Sequence, residues 1–292
     1  MPRLTRRGFT LIELLVGLVL LGIVSAAIYR VLVNNQRMYQ AQTQRVDLQQ
    51  NIRAAATILP AELRELDAFD GDILALGPDS IRIRAMRQFG ILCTAPVLNG
   101  GAVTGKVIVL RNALLFAMRA FALGDSVLVF NEGSEGTRND DGWAVGRVTL
   151  APTAVNCPAP NNGPGTQLNV DFTAFAAPIV NAANAIPVGA PVHGFEIVTY
   201  KLYQAADGLW YLGLRNNSGL QPLVGPLLGA TGLRFTYYDG AGNVTNVPTS
   251  VAQVEVIVRG RTAQAVPRPN GGLIVPVDSV TTRVAVRNNR RF

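Results

Sequence analysis

The segment TRRGFTLIELLVGLVLLGIV, residues 5–24, joins a basic pair to a long apolar run that contains one acidic residue. Glu13 is the only charged residue among the 22 residues between Arg7 and Arg30. As a helix rising 1.5 Å per residue, these residues would extend about 33 Å and would cross a hydrocarbon core of about 30 Å. Basic residues precede the run, which predicts an N-terminus in the cytoplasm. A carboxylate is costly in lipid, so Glu13 needs a role.

Two export signals match this segment in part. A secretory signal peptide would use the N-terminal arginines, the apolar residues 14–24 and a small-residue cleavage site at 24–26. A twin-arginine signal would use the adjacent arginines of TRRGF. Neither explains Glu13, because a segment that is removed after export has no use for a costly charge.

The residues RGFTLIE, 7–13, resemble the N-terminal motif of type IV prepilins. In that family a prepilin peptidase cuts after the glycine, the new N-terminal residue is methylated, and a glutamate faces the N-terminal amine of a neighbouring subunit. The resemblance implies cleavage between Gly8 and Phe9, methylation of Phe9 and a docking role for Glu13. It also implies that the partners are the prepilin peptidase, other major and minor pilins or pseudopilins, and an inner-membrane assembly platform.

Four segments are predicted along the chain. The resemblance implies a cleaved leader at 1–8 and a transmembrane helix at 9–29. The spacing of apolar residues predicts an amphipathic extension of the helix at 30–66 and a β-rich globular domain at 67–292. The protein would cross the inner membrane once, with its N-terminus in the cytoplasm and its globular domain in the periplasm, before it enters a filament or a tip complex.

Beyond residue 45 the apolar residues recur at helical spacing. Such a stripe predicts one buried helix face. Pro60 is predicted to kink this helix or to start a new one at Ala61, because proline cannot donate a helical hydrogen bond. The stripe consists of Leu48, Ile52, Ala55, Leu59, Leu63 and Leu66.

From residue 80 the apolar period changes to two, which predicts β-strands. Strands are predicted in SIRIRAM, KVIVLR, DSVLVF and RVTL, and a hairpin is predicted over 194–215 with its turn at 206–208. Two late segments, 251–260 and 280–289, alternate cleanly and are predicted to pair. The segments 151–165 and 174–194 are rich in Pro, Ala and Asn, which predicts surface loops. The predicted class is α+β, a pilin-like long helix packed on an antiparallel sheet.

The C-terminal third carries a second resemblance. GLRFTYYDGAGN at 232–243, VAQVEVIVRGRT at 251–262 and TTRVAVRNN at 281–289 resemble the ends of W-like minor pilins and of J-like minor pseudopilins of type II secretion. The implied function is a minor subunit that primes or joins assembly of a type IV pilus or a secretion pseudopilus. The alternative is an exported periplasmic enzyme or binding protein with a cleavable signal peptide. A pilus, a secretion system and a DNA-uptake system stay open.

Catalytic and nucleic-acid-binding signals are weak. The net charge is +7, but the arginines are scattered and no basic stripe is interleaved with aromatic residues, which argues against nucleic acid as a partner. The single histidine, His193, falls in the predicted Pro- and Gly-rich loop, and no catalytic or cofactor motif accompanies it. The sequence therefore predicts a protein that is not an enzyme and has no cofactor.

An acidic, glycine-rich segment lies at 131–143. Oxygen-rich loops of this kind can hold calcium, but the spacing does not match an EF-hand and a solvated turn is the preferred interpretation. No metal site is predicted. The weak calcium candidates are Glu132, Glu135, Asp140 and Asp141.

The chain has two cysteines, Cys93 and Cys157. An even number of cysteines in an exported domain favours a disulfide, whereas two buried thiols are the alternative. Because the N-terminal segment implies export, a disulfide between them is expected.

Overall fold

The computed structural model of the chain describes residues 10–98, 105–132, 141–160, 162–172, 186–268 and 271–286. One α-helix, α1, occupies Leu11–Arg64, and β-strands dominate the described residues that follow it. The strands pair antiparallel throughout. The predicted class is confirmed: a long apolar N-terminal helix packs on a large antiparallel sheet.

The strands fall into an earlier and a later group along the chain. The earlier group is β1 (Ile73–Leu76), β2 (Ser80–Ile91), β3 (Val97–Leu98), β4 (Gly105–Arg111), β5 (Phe116–Ala117), β6 (Ser126–Asn131), β7 (Gly142–Val148), β8 (Thr153–Cys157) and β9 (Gly163–Asp171). The later group is β10 (Pro191–Gln204), β11 (Trp210–Asn216), β12 (Gly219–Leu227), β13 (Leu233–Tyr238), β14 (Gln253–Arg261), β15 (Val266–Pro267), β16 (Leu273–Ile274) and β17 (Val277–Ala285).

Fifteen of the described strands form one sheet, and β15 and β16 form a separate pair. The main path runs β13-β14-β12-β11-β10-β6-β7-β9-β4-β3. Strand β2 pairs with β10 over eleven residue positions and carries β1 and β5 on its other edge. Strand β17 lies on the outer side of β14, and β8 lies on β9. The centre of the sheet is therefore the long pair of β10 and β2.

The second half of α1 covers one face of this sheet. The face of the helix that the apolar spacing predicted is the face that packs, and it belongs to one buried cluster with residues of the sheet such as Ile81, Tyr200, Leu212 and Val256. Helical period is a local property, so the prediction needed no knowledge of the sheet. All six predicted stripe residues are buried: Leu48, Ile52, Ala55, Leu59, Leu63 and Leu66.

The helix passes through Pro60 without ending. Residues up to Arg64 belong to the same helix, so the expectation of a new helix starting at Ala61 is wrong. Proline removes one helical hydrogen bond, but Pro60 is buried beside Leu59 and Leu63, and packing on the sheet favours a continued helix.

A second cluster of buried side chains lies away from α1. It is built from the inward-facing residues of β4, β6, β7, β9 and the start of β10, such as Ile108, Val129, Leu168 and Val192. The sheet therefore carries two apolar clusters, one covered by the helix and one formed by the strands on the β9 side of β10.

Several predicted strands and turns are confirmed. The hairpin of β10 and β11 pairs Gln204 with Trp210, and its turn contains Gly208 at a φ of 77°, a conformation that glycine adopts at little cost. The late pair is β14 with β17, in register from Gln253 and Ala285 to Arg261 and Val277.

Two loop predictions are wrong in part. Within 151–165, β8 occupies Thr153–Cys157 and β9 begins at Gly163, although most of these side chains are exposed because β8 pairs only with β9 among the described strands. Within 174–194, β10 begins at Pro191, and residues 174–185 lie outside the described residues. Proline is tolerated as the first residue of a strand, so a proline-rich composition does not exclude a strand that begins at Pro191.

Candidate functional site at the N-terminal helix

The first turn of α1 is closed by reciprocal hydrogen bonds between Thr10 and Glu13. The Thr10 backbone N–H donates to Glu13 Oε2 at 2.9 Å, and the Thr10 hydroxyl donates to the same oxygen at 3.0 Å. In return, the Glu13 backbone N–H donates to Thr10 Oγ1 at 3.3 Å. This arrangement is a capping box, which pairs two backbone N–H groups at the start of a helix. Glu13 therefore has hydrogen-bond partners within its own chain.

Thr10 is a site residue that sequence reasoning missed. The signal was present, since Thr10 and Glu13 are spaced as in a capping box and stand before an apolar run. The predicted cleavage and methylation residues, Gly8 and Phe9, lie outside the described residues. The capping box begins directly after Phe9 in the sequence.

The first part of α1 presents an apolar surface. Every residue from 10 to 32 is exposed, including Leu11 at 82% and Leu21 at 64%. By length and composition α1 is able to cross a membrane, and it is the one such helix in the described part of the chain. Such a surface would be unfavourable in water, and a single apolar helix at the N-terminus fits a membrane anchor.

The helix enters the domain between residues 44 and 52. The Gln264 backbone N–H donates to Gln44 Oε1 at 3.3 Å, and Asn51 Nδ2 donates to the Gly225 carbonyl at 2.6 Å. A Cβ atom on Gly260 of β14 would lie 2.7 Å from Leu48 Cδ1, so glycine at this position lets the helix approach the sheet closely. These contacts fix where the exposed helix joins the domain.

A group of charged side chains fastens the other end of α1. Arg87 Nη1 on β2 donates to both oxygens of Glu62, at 2.9 and 3.2 Å, and Arg87 Nε lies 3.8 Å from a carboxylate oxygen of Glu196 on β10. Burial lowers the pKa of Arg87, but the hydrogen bond to Glu62 raises it, and the pKa is raised overall. Burial, and then the charge of Glu62, raise the pKa of Tyr200. The ion pairs of Arg87 with Glu62 and Glu196 therefore connect the end of α1 to the two central strands, β2 and β10.

His193 lies in a strand, so its predicted place in a loop is wrong. It occupies β10, where its ring centroid is 5.2 Å from that of Phe89 on β2 and 5.0 Å from that of Trp143 on β7. Burial lowers its pKa, which favours the neutral ring. His193 is thus part of a half-buried aromatic group on the sheet.

Two of the four weak calcium candidates are described. Glu132 is exposed just after β6, and Asp141 is half-buried just before β7, with its Oδ1 buried and unbonded among the described residues. Glu135 and Asp140 lie outside the described residues. In the described part of the chain, no three side chains of His, Cys, Asp or Glu are grouped closely enough to hold a metal ion.

Cys93 and Cys157 are both buried and lie together. Their Cα atoms are 5.7 Å apart and their side chains are joined as a disulfide. Cys157 ends β8, and the Cys93 backbone N–H donates to the Val109 carbonyl of β4 at 2.9 Å. The bond therefore connects the segment after β2 to the end of β8.

Residues 3–29 match the family model described as the prokaryotic N-terminal methylation motif. The matched segment includes Gly8, Phe9 and Glu13, and it supports a type IV prepilin-like chain, either a pilin or a pseudopilin subunit. The motif implies processing by a prepilin peptidase and assembly with other pilins, and it indicates a structural subunit rather than an enzyme. Searches of the curated proteins and of the solved structures gave no match to the chain.

Proposed function

We propose that this protein is a minor pilin or pseudopilin that primes or joins assembly of a type IV pilus or a type II secretion pseudopilus. The observation that carries the proposal is the methylation motif at residues 3–29, whose apolar part is the beginning of one continuous helix that runs into a sheet domain. A helix of 54 residues is about 80 Å long, enough to cross a bilayer and still form the spine of a domain.

The proposed topology follows from this layout. Residues 1–8 are a cytoplasmic leader, 9–29 cross the inner membrane, 30–66 continue the helix, and 67–292 form a domain in the periplasm. The disulfide between Cys93 and Cys157 supports an oxidising compartment for the domain. The resemblance of residues 232–289 to W-like and J-like subunits supports a minor subunit rather than a major one.

Glu13 would serve two states of the protein. In the isolated chain its carboxylate accepts hydrogen bonds from Thr10. In the assembled state it would accept the N-terminal amine of a neighbouring subunit, and a hydrogen bond between two ions is about twice as strong as one between neutral groups. The carboxylate would therefore be satisfied before docking and bound more strongly after it.

Intact mass and N-terminal sequencing of the purified protein test the processing step. A mature chain that begins with methylated Phe9 is expected, and a Gly8→Val variant is expected to keep residues 1–8 because the peptidase requires glycine before the cut. A mature chain that begins near Ala27 would instead indicate a signal peptide, and with it an exported enzyme or binding protein.

Substitutions of Glu13 separate docking from capping. Glu13→Leu removes both functions, whereas Glu13→Gln keeps an oxygen that can close the capping box but removes the charge. Both variants are expected to insert and to be cleaved, yet to be missing from sheared filaments or pseudopili. Thr10→Ala, which removes the capping hydroxyl alone, is expected to incorporate. Normal incorporation of Glu13→Gln would show that the residue is a helix cap and not a docking charge.

A further inference from the structure

The outer edge of β17 carries no partner strand among the described residues. Strand β17 pairs with β14 over nine consecutive positions with no bulge, and with no other described strand. Its odd-numbered residues from 277 to 285 are all exposed, whereas Val284 is buried and Val280 and Thr282 are half-buried on the side of α1. A long regular edge of this kind is a template for another strand.

Hydrogen bonds at both ends of the strand show which backbone groups face outward. The Thr262 N–H donates to the Pro276 carbonyl, and the Val286 N–H donates to the Ala252 carbonyl, so the even-numbered positions bond to β14. Antiparallel strands alternate in this respect. The N–H and C=O groups of Thr281, Arg283 and the other odd-numbered residues of β17 therefore point away from the sheet.

One end of this edge is already covered. The outward N–H of Ser279 donates to Oδ1 of the preceding residue, Asp278, at 2.8 Å. This N–H is therefore already hydrogen-bonded and is not open to a partner strand. Charged residues that cover an edge strand protect it from unwanted pairing. The segment 281–285 has no such bond to a described side chain and is the part of the edge that is free to pair.

We infer that residues 281–285 of β17 bind an extended strand from a different subunit of the same assembly, which adds to the sheet at this edge. The inference rests on the proposed function, because it requires a partner subunit. The outward N–H and C=O groups of β17 would hydrogen-bond to the backbone of the partner, so the partner segment must be extended. On the helix side the added strand would lie beside Val280 and Val284, and on the other side it would face solvent, so its residues should alternate between apolar and polar.

A second copy of this chain fits the edge less well. Self-pairing centred on Thr281 or Thr282 would use the Ser279 N–H of both copies and would displace both Asp278 carboxylates. Self-pairing centred on Arg283 would place two arginines directly opposite each other, which is destabilising. Self-pairing centred on Val284 would set Arg283 opposite Ala285 of the other copy and would leave Thr281 without a partner among the described residues. The edge therefore favours a partner with a different sequence.

The test compares Thr281→Pro with the matched control Thr281→Ala in the full-length chain, expressed in the native cell. Proline removes only an outward N–H, and edge strands tolerate it. Both variants are expected to be cleaved and to melt within a few degrees of wild type in detergent. Recovery of Thr281→Pro in the sheared filament or pseudopilus fraction is expected to fall at least tenfold, while Thr281→Ala is recovered like wild type. Equal recovery of the two variants would overturn the inference and leave the proposed function intact.

Hydrogen exchange on the wild-type chain decides the case in which Thr281→Pro does not fold. The amides of Thr281 and Arg283 are expected to exchange at least a hundredfold more slowly in the assembled fraction than in the detergent-solubilised chain. Unchanged exchange would overturn the inference. The same protection in the purified chain alone, increasing with concentration, would assign the edge to a second copy and overturn it as well. Absence of the wild-type chain from the assembled fraction would count against the proposed function itself.

Discussion

Asp72 is a buried carboxylate whose ionisation should cost the folded protein stability near neutral pH. It lies between the end of α1 and β1, only 4% exposed. Its Oδ2 accepts the Asp67 N–H at 2.9 Å, and its Oδ1 is 3.9 Å from Arg84 Nη1. Burial is the largest influence and raises the pKa of Asp72 from an ordinary 3.8 to about 6, against the opposing effects of the Asp67 N–H and of Arg84.

The direction of the pH dependence follows from proton binding. Between pH 3.8 and about 6 the folded state binds more protons at Asp72 than the unfolded state does, so the free energy of unfolding falls as pH rises through this window. Below it both states are protonated and Asp72 contributes no penalty. A change in pKa from 3.8 to about 6 corresponds to a loss of about 3 kcal/mol by pH 7, since one pH unit is worth about 1.4 kcal/mol.

Asp72→Asn keeps an oxygen that can accept the Asp67 N–H but carries no charge. At pH 7 the variant is expected to be more stable than wild type by up to about 3 kcal/mol, a figure that already includes the Arg84 attraction because Arg84 lowers the pKa of Asp72. At pH 4 the difference should nearly vanish. Denaturant unfolding of the detergent-solubilised full chain at pH 4, 5, 6 and 7 measures it, with Asp47→Asn, an exposed aspartate on α1, as the control. A difference between Asp72→Asn and wild type that does not change with pH would refute the reasoning.

Two further perturbations test how the domain is held together. Replacing Cys93 and Cys157 by serine should lower the free energy of unfolding by about 4 kcal/mol, because the bond closes a loop spanning a sequence separation of 64; equal unfolding midpoints of the oxidised wild type and the double variant would contradict this. Gly260→Val should lower the melting temperature because its side chain would collide with Leu48, whereas Gly240→Val, where no atom lies within 4 Å of the added Cβ, should melt within a few degrees of wild type. Similar melting of the two glycine variants would show that the helix is not seated closely on β14.

The features that can be predicted from the sequence are those that depend on the local spacing of apolar side chains. The buried face of α1 from Leu48 to Leu66 and the alternating strands follow from side-chain spacing of 3.6 and 2, which any packed helix or sheet must show. Composition was a poorer guide. The proline and glycine that flank His193 predict a loop, yet Pro191 opens the strand and Gly194 leaves room for the Gln88 side chain that crosses it.

Contacts between distant parts of the chain could not be predicted. The cluster of Glu62, Arg87 and Glu196 joins a helix to two strands, and nothing in the spacing of these residues along the chain pairs them. The sequence likewise does not show which backbone groups of β17 point outward, because this depends on which residues of β14 bond to which neighbouring strand. Thr10 is a different case, because the spacing of Thr10 and Glu13 before an apolar run is a local pattern that predicts a capping box.

The continuous helix links the two ends of the proposed assembly mechanism. Leu48 to Leu63 pack on the sheet, and α1 runs unbroken from there to Leu11, so the position of Glu13 sets the position of the domain along the helix axis. A slip of one helical turn at the docking carboxylate would move the domain by about 5.4 Å, more than the 3.4 Å between residues of a strand. A partner strand on β17 would then meet the wrong backbone groups. The pairing of Glu13 with an amine in the membrane and the pairing of β17 with a strand in the periplasm would therefore require the same position of the subunit along the helix axis. A subunit able to form only one of the two interactions would be excluded from the assembly.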